Sequence, residues 1–160
     1  MEPNSLSLPV LKDQDRVQDP IRFLNGTFFC KVSAADTHGE ICVFDTVRTV
    51  RGGPPLHFHH AQDEWFLVLE GEFDIQIGDA VHRLREGDGL LGPRLVPHAF
   101  VNITETGRLL IMFSPAGTME TFFREGSRRG PLSATEFASL SEEHGMTVVG
   151  PPMSTSEQKL

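Results

Sequence analysis

The chain has 160 residues, a formal net charge of −8 and 39% hydrophobic residues. That is enough for one domain with a substantial core and too little for two ordinary ones, and an acidic surface repels phosphate backbones, so nucleic acid is not an expected partner. The 15 Gly and 11 Pro favour a turn-rich β protein over a helix bundle. The longest apolar runs, Trp65–Leu69 and Leu109–Phe113, fall far short of the roughly 20 residues of a membrane-spanning helix, so no membrane association is expected. Met1-Glu2-Pro3-Asn4 starts no secretory signal. Cys30 and Cys42 make no disulfide framework, which points to a reducing, cytoplasmic setting, against the alternative of one bridge between neighbouring strands.

Residues 1–20 are polar and carry Pro3, Pro9 and Pro20, as expected of an N-terminal arm packed on the domain or on a second subunit. Residues 21–115 read as strand after strand. Thr27–Ser33 and Glu40–Val50 are rich in Val, Ile, Phe and Thr, which suit a pleated, half-buried surface. Gly52-Gly53-Pro54-Pro55 is a loop. Glu64–Leu69 and Glu72–Ile77 flank Glu70-Gly71, and Phe73, Ile75 and Ile77 alternate with Glu72, Asp74 and Gln76 at the strand period. Gly78-Asp79 is a short hairpin turn. Val81–Leu84, Gly89–Leu91, Pro97–Asn102 and Arg108–Ser114 follow. Strands this short and this regularly punctuated predict a sandwich or barrel.

Residues 116–160 read as a helical extension and tail packing on that body. Met119–Arg124 is a helical turn and Arg124–Gly130 a basic linker. Ser133-Ala134-Thr135-Glu136 is a capping box that starts a helix over Ala134–His144, and Gly145 ends it. Met146–Val149 is a final extended segment and Pro151–Leu160 a frayed tail.

The chemistry concentrates in His57-Phe58-His59, Glu64 and His98. Residues two apart on a strand share a face, so both imidazoles of His57 and His59 can aim at one ion, whereas a helix would send them to nearly opposite sides. Four residues separate His59 from Glu64, enough for a turn that brings the chain back as a neighbouring strand. His98 starts another strand. Three neutral imidazoles and one carboxylate suit a divalent first-row transition ion and leave a net charge near +1. If the ion is octahedral, two positions stay open for water, O₂ or a bidentate substrate. His60, next to His59, points to the opposite face and is read as a surface residue before an alternative ligand. Asp63 faces solvent, and His38, His82 and His144 are solvated. Phe100 shares the inward face with His98, as core or as pocket wall. Asn102 follows in step, either bonding behind the ligands or steadying the turn after the strand. Trp65 points away from the metal face and needs a cover, either a second subunit or the C-terminal helix.

These residues resemble the cupin family. Its first motif is matched by Gly52/Gly53, His57-Phe58-His59, Glu64 and Gly71, and its second by Gly87, Pro93, His98 and Asn102, with Leu95 where the motif has Gly. That departure predicts a slightly different turn before His98. The resemblance implies an all-β fold, a double-stranded β-helix or jelly-roll barrel, with a short C-terminal helix. It implies one divalent metal ion (iron, manganese, nickel, cobalt, zinc or copper) held by His57, His59, Glu64 and His98. Family activities include dioxygenases, isomerases, decarboxylases and non-catalytic binders, and fold alone does not choose among them. The expected function is a metal-dependent dioxygenase acting on an enolisable or phenolic small molecule, with Glu64 accepting the substrate proton. The alternatives are a metal-dependent isomerase or epimerase, in which Arg94 would hold an anionic group, and a metal- or ligand-binding protein without catalysis. The absence of Tyr excludes tyrosine-based mechanisms. A homodimer is the expected assembly.

Overall fold

The computed structural model describes residues 8–154. Eleven strands form two antiparallel sheets that face each other as a jelly-roll barrel. The first sheet has the order β1 (Ile21–Phe23), β2 (Gly26–Val32), β3 (Cys42–Arg48), β10 (Gly107–Ser114), β5 (Asp63–Glu70) and β8 (Gly89–Gly92). The second has the order β11 (Met146–Pro152), β4 (Pro55–His59), β9 (His98–Asn102), β6 (Glu72–Ile77) and β7 (Ala80–Arg85). Sequential hairpins use tight turns. Gly78-Asp79 joins β6 to β7 with Ile77 opposite Ala80 and a positive φ at Gly78. Leu24-Asn25 joins β1 to β2 with positive φ at both residues, the mirror-image turn that matches strand twist.

The inward files are apolar and largely phenylalanine. Phe28, Phe44, Phe66, Phe73, Leu109, Ile111 and Phe113 are all buried. Each such side chain contributes about 1.5–3 kcal/mol when removed from water. Helix α1 (Met119–Arg129) completes this core from one end of the barrel. Its buried residues Met119, Phe122, Phe123 and Gly126 follow the i, i+3, i+4, i+7 stripe of an amphipathic helix. The expected linker over Arg124–Gly130 is therefore corrected: it is the second half of this helix. Gly126 marks no break there. It is where the Phe23 ring comes so close that a Cβ would collide with it. Helix α2 (Ala134–Glu143) starts as expected, with Glu136 N donating to Ser133 Oγ at 3.2 Å and Ser133 N donating to Glu136 Oε2 at 2.8 Å. It ends at Gly145 in the left-handed region.

The last strand extends through Pro152 and pairs with β4, so Pro151 and Pro152 are part of the sheet, not of a frayed tail. The rest of that expected tail, from residue 155, and residues 1–7 of the expected arm lie outside the described residues. The described part of the arm packs on the barrel. Asp15 is buried, accepts from the Cys30 amide at 2.7 Å, and pairs with Arg124 on α1. Cys30 and Cys42 are both free and buried, and burial pushes the Cys42 thiol up to about 12. No helix among the described residues is long and apolar enough to cross a membrane.

The turn before His98 keeps the shape that glycine would favour. Leu95 has φ +66, the left-handed region, and its amide donates to the His59 carbonyl at 2.8 Å. A non-glycine residue there costs about 1 kcal/mol or more, and exposed Leu95 recovers little by burial. Leu95→Gly is therefore expected to raise stability by up to about 1 kcal/mol, and Leu95→Val to lower it. Thermal or urea unfolding of the two variants checks this.

Candidate metal centre

The four ligand candidates come from three strands and both sheets. Strand β4 carries His57 and His59 on its inward face, with ring centroids 5.2 Å apart. Strand β9 starts at His98, which pairs in register with His57. Strand β5 presents Glu64 from the facing sheet. The loop before β4 can approach because Gly53 has no side chain: a Cβ there would occupy the position of the Phe100 carbonyl oxygen. Gly71, at φ +78, gives the turn after β5 a matching close approach to Thr104 and Thr106.

One donor atom from each of His57, His59, Glu64 and His98 lies within 4.8 Å of all the others. The residues are 8%, 0%, 4% and 1% exposed, so the set is withdrawn from bulk water. The His57 Nδ1–H donates to the Pro55 carbonyl at 2.7 Å, and the His98 Nδ1–H donates to the Val96 carbonyl at 3.0 Å. Each such bond commits Nδ1 to the proton and turns Nε2 toward the centre as a lone-pair donor. Yet His98 Nε2 lies 2.6 Å and His59 Nε2 3.0 Å from Glu64 Oε2. The His98 lone pair facing a carboxylate oxygen so closely needs a proton or a metal ion between them, whereas His59, whose buried Nδ1 has no hydrogen-bond partner, is free to present either a proton or a lone pair at Nε2. The donor set therefore fits a divalent transition ion, with three imidazole nitrogens and one carboxylate oxygen as its protein ligands.

The electrostatics agree. Burial drives the His57 imidazole down to about 3, so it is neutral at any ordinary pH. Burial also opposes charge on Glu64 and His98, but their mutual attraction outweighs it. Glu64 is held well below the usual carboxylate range by His98 and His59, and the His98 pKa is raised by Glu64.

The centre opens onto a small cavity, about 30 Å³ of which admits water-sized solvent. Apart from His57, His59 and Glu64, every residue lining it is apolar. Phe100, 4% exposed, is part of this wall. Asn102 is not: it is fully buried, but accepts from the Gly52 amide at 3.1 Å and donates to the Thr104 carbonyl at 2.9 Å, and so ties loops together away from the ligands. The far wall is Met119, Phe122 and Phe123 of α1, which lie in the stretch read as a helical turn but were not read as part of the site.

The remaining candidates lie elsewhere. His60 is exposed and bonds Thr147 on the outer side at 2.7 Å. His38 and His82 are exposed. His144 is corrected: its side chain is only 9% exposed, clamped between Thr118 Oγ1 at 2.8 Å and Glu125 Oε2 at 3.1 Å. Asp63 is on the outer side but not idle. It accepts two bonds from the Arg94 guanidinium, at 3.1 and 3.0 Å, and one from the Arg94 amide at 2.9 Å. Trp65 is half-buried on the outer face of β5, opposite Leu91 of β8 and Met112 of β10, while the helices pack on β1 and β11.

Comparison with known proteins is consistent with this geometry. The family model described as a cupin domain matches residues 47–113. Protein SchB of Streptomyces halstedii is 35% identical over 82 residues, which is 49% of this chain and 59% of that protein. An uncharacterized protein of Streptomyces coelicolor is 38% identical over 56 residues, 35% of this chain and 53% of its own length. The chain thus spans between half and three-fifths of these relatives. Among solved structures, KdgF from Halomonas sp. superimposes with a TM-score of 0.59 at 15% identity, covering 68% of this chain and 94% of that one. An RmlC-like cupin from Shewanella frigidimarina gives 0.55 at 22% identity, covering 66% and 88%. At such identities the structural likenesses show the fold.

Metal analysis of tag-free protein is expected to find about one transition ion per chain, lost in a His57→Ala, His59→Ala double variant. An ion must displace the proton that Glu64 helps His98 to keep, so acid works against binding. The melting-temperature advantage of metal-loaded over chelator-treated protein is accordingly expected to be largest above pH 7 and to shrink toward pH 5. Differential scanning fluorimetry across that range measures it.

Proposed function

We propose, from the match of residues 47–113 to the cupin domain model and the geometry of the site, that the chain is a metal-dependent dioxygenase acting on an enolisable or phenolic small molecule. The observation that carries this reading is the chemistry of the cavity: a transition-metal ligand set facing walls that are otherwise wholly apolar and mostly phenylalanine. When bound, a divalent ion would supply open positions for a substrate oxygen and for O₂, and would acidify the oxygen it holds.

The chain's own groups do the rest. Glu64 is the carboxylate at the centre and the group placed to accept the proton of an enol or phenol. The rings of Phe100, Phe113 and Phe122 offer faces and edges for a planar substrate and exclude water from it. In the closed state the cavity holds about one or two waters, so an aromatic substrate enters by displacing the α1 wall of Phe122 and Phe123. A phosphorylated sugar fits less well. Arg94, the cation such a substrate would call on, is already engaged by Asp63 through both of its carboxylate oxygens. A homodimer through the outer faces of β5, β8 and β10 would cover Trp65, Met112 and Leu91, the last of which is 51% exposed.

Oxygen uptake by protein loaded with Fe(II), Mn(II), Co(II) or Ni(II) and offered flavonols, β-diketones or catechols tests the function. Turnover is expected with at least one combination and is expected to fall by about 100-fold or more in Glu64→Gln. No uptake with any combination overturns the dioxygenase reading. For the assembly, sedimentation is expected to give a dimer that Trp65→Glu converts to monomer.

A further inference from the structure

Arg48 is the largest fully buried side chain among the described residues and belongs to no motif. It ends the inward file Phe44, Thr46, Arg48 of β3. Its cross-strand neighbours are both glycine, Gly26 on β2 and Gly107 on β10. A Cβ on Gly26 would collide with Nη1, so the guanidinium occupies room left by a missing side chain. Nη2 donates to the carbonyls of Leu24 and Gly52. Nε and Nη1 are buried and have no hydrogen-bond partner. Among the described residues no carboxylate pairs with Arg48. The contrast with the other buried arginine is sharp: Arg108 donates to both oxygens of Asp45 and reaches Asp13 as well. Burial pushes the Arg48 pKa down to about 10, which still leaves it charged at neutral pH. A buried cation with two idle donors is costly, and a bound carboxylate would offset that cost.

Two residues place this cation beside the metal cavity. Leu24, whose carbonyl Arg48 holds, lines it. So does Phe100, whose ring centre is 5.8 Å from the guanidinium carbon. Phe100 stands two residues along β9 from His98, about 7 Å of strand. We propose that Arg48 receives the carboxylate of a ligand whose other end lies at the metal centre, which makes the substrate class a hydroxyaryl or enolic carboxylic acid. This rests on the metal-centre reading above and narrows it. The planar body lies against Phe100, the oxygen pair faces His57, His59, Glu64 and His98, and Arg48 takes one carboxylate oxygen on an idle N–H.

The test compares two probes that share an oxygen pair and differ in one carboxylate: catechol and 3,4-dihydroxybenzoate. Each is titrated calorimetrically, without oxygen, into Co(II)-loaded protein. Wild type is expected to prefer the dihydroxybenzoate by about tenfold or more. Arg48→Gln is expected to bring the ratio of affinities to about one. Gly26→Ala, which retains the charge but crowds Nη1, is expected to reduce the ratio and decides the matter if Arg48→Gln does not fold. No preference in wild type, or a preference unchanged in the variants, overturns the proposal. Failure of the metal reading shows separately: dihydroxybenzoate binding that survives in the His57→Ala, His59→Ala protein and still depends on Arg48 would support the carboxylate site and refute a metal-held oxygen pair.

Discussion

The structure turns on one crowded contact: a single oxygen of Glu64 faced by the Nε2 atoms of His59 and His98 inside a barrel that excludes water. The Val96 carbonyl holds the far side of the His98 ring and the Pro55 carbonyl that of His57, which keeps the Nε2 atom of each turned toward the centre. Between His98 and Glu64 a proton or a metal ion has to sit. Because Glu64 comes from one sheet and the histidines from the other, an ion bound by all four would link the two sheets. The glycine-lined approaches serve this arrangement. Gly53 lets the β4 loop close on β9, which sets His57 against His98, and Gly71 lets the chain turn back tightly after β5, which carries Glu64.

Around this polar centre the core leans heavily on phenylalanine. Phe28, Phe44, Phe113 and Phe123 touch ring to ring from three strands and α1, and Phe23 joins them to Phe122 and Phe137. Such rings supply area and edge-to-face geometry without adding polar atoms. That leaves the ligands as the polar groups of the cavity and Arg48 as the cation just behind its wall. The N-terminal arm is fixed by the opposite means, with the buried Asp15 carboxylate meeting the amide of Cys30 and the guanidinium of Arg124.

Much of this was legible from residue order. The two-residue step from His57 to His59 is meaningful only on a strand, so one observation carries both the local structure and the ligand assignment. The alternation of Phe73 and Ile75 and the Ser133/Glu136 cap are equally local, and both stand as read. What escaped reading depends on distant partners. Gly126 reads as a helix breaker until Phe23 is seen packed on it. His144 reads as solvated until Glu125 and Thr118 are brought to it by the packing of α1 beside α2. Leu95 reads as a changed turn, yet the surrounding loop imposes the left-handed conformation on a residue that resists it. Arg48 drew no reading from the sequence, because the glycines that make room for it lie on two other strands.

The wall contributed by α1 has a consequence for how this protein can diversify. The ligands lie within residues 47–113, whereas Met119, Phe122 and Phe123 come from the segment after it. Part of the cavity wall is thus written in a stretch of the polypeptide separate from the ligands. Drift, exchange or insertion in the later stretch can reshape what the cavity admits while the ligands stay untouched. A lineage built this way can reshape its cavity without first giving up the four ligand side chains.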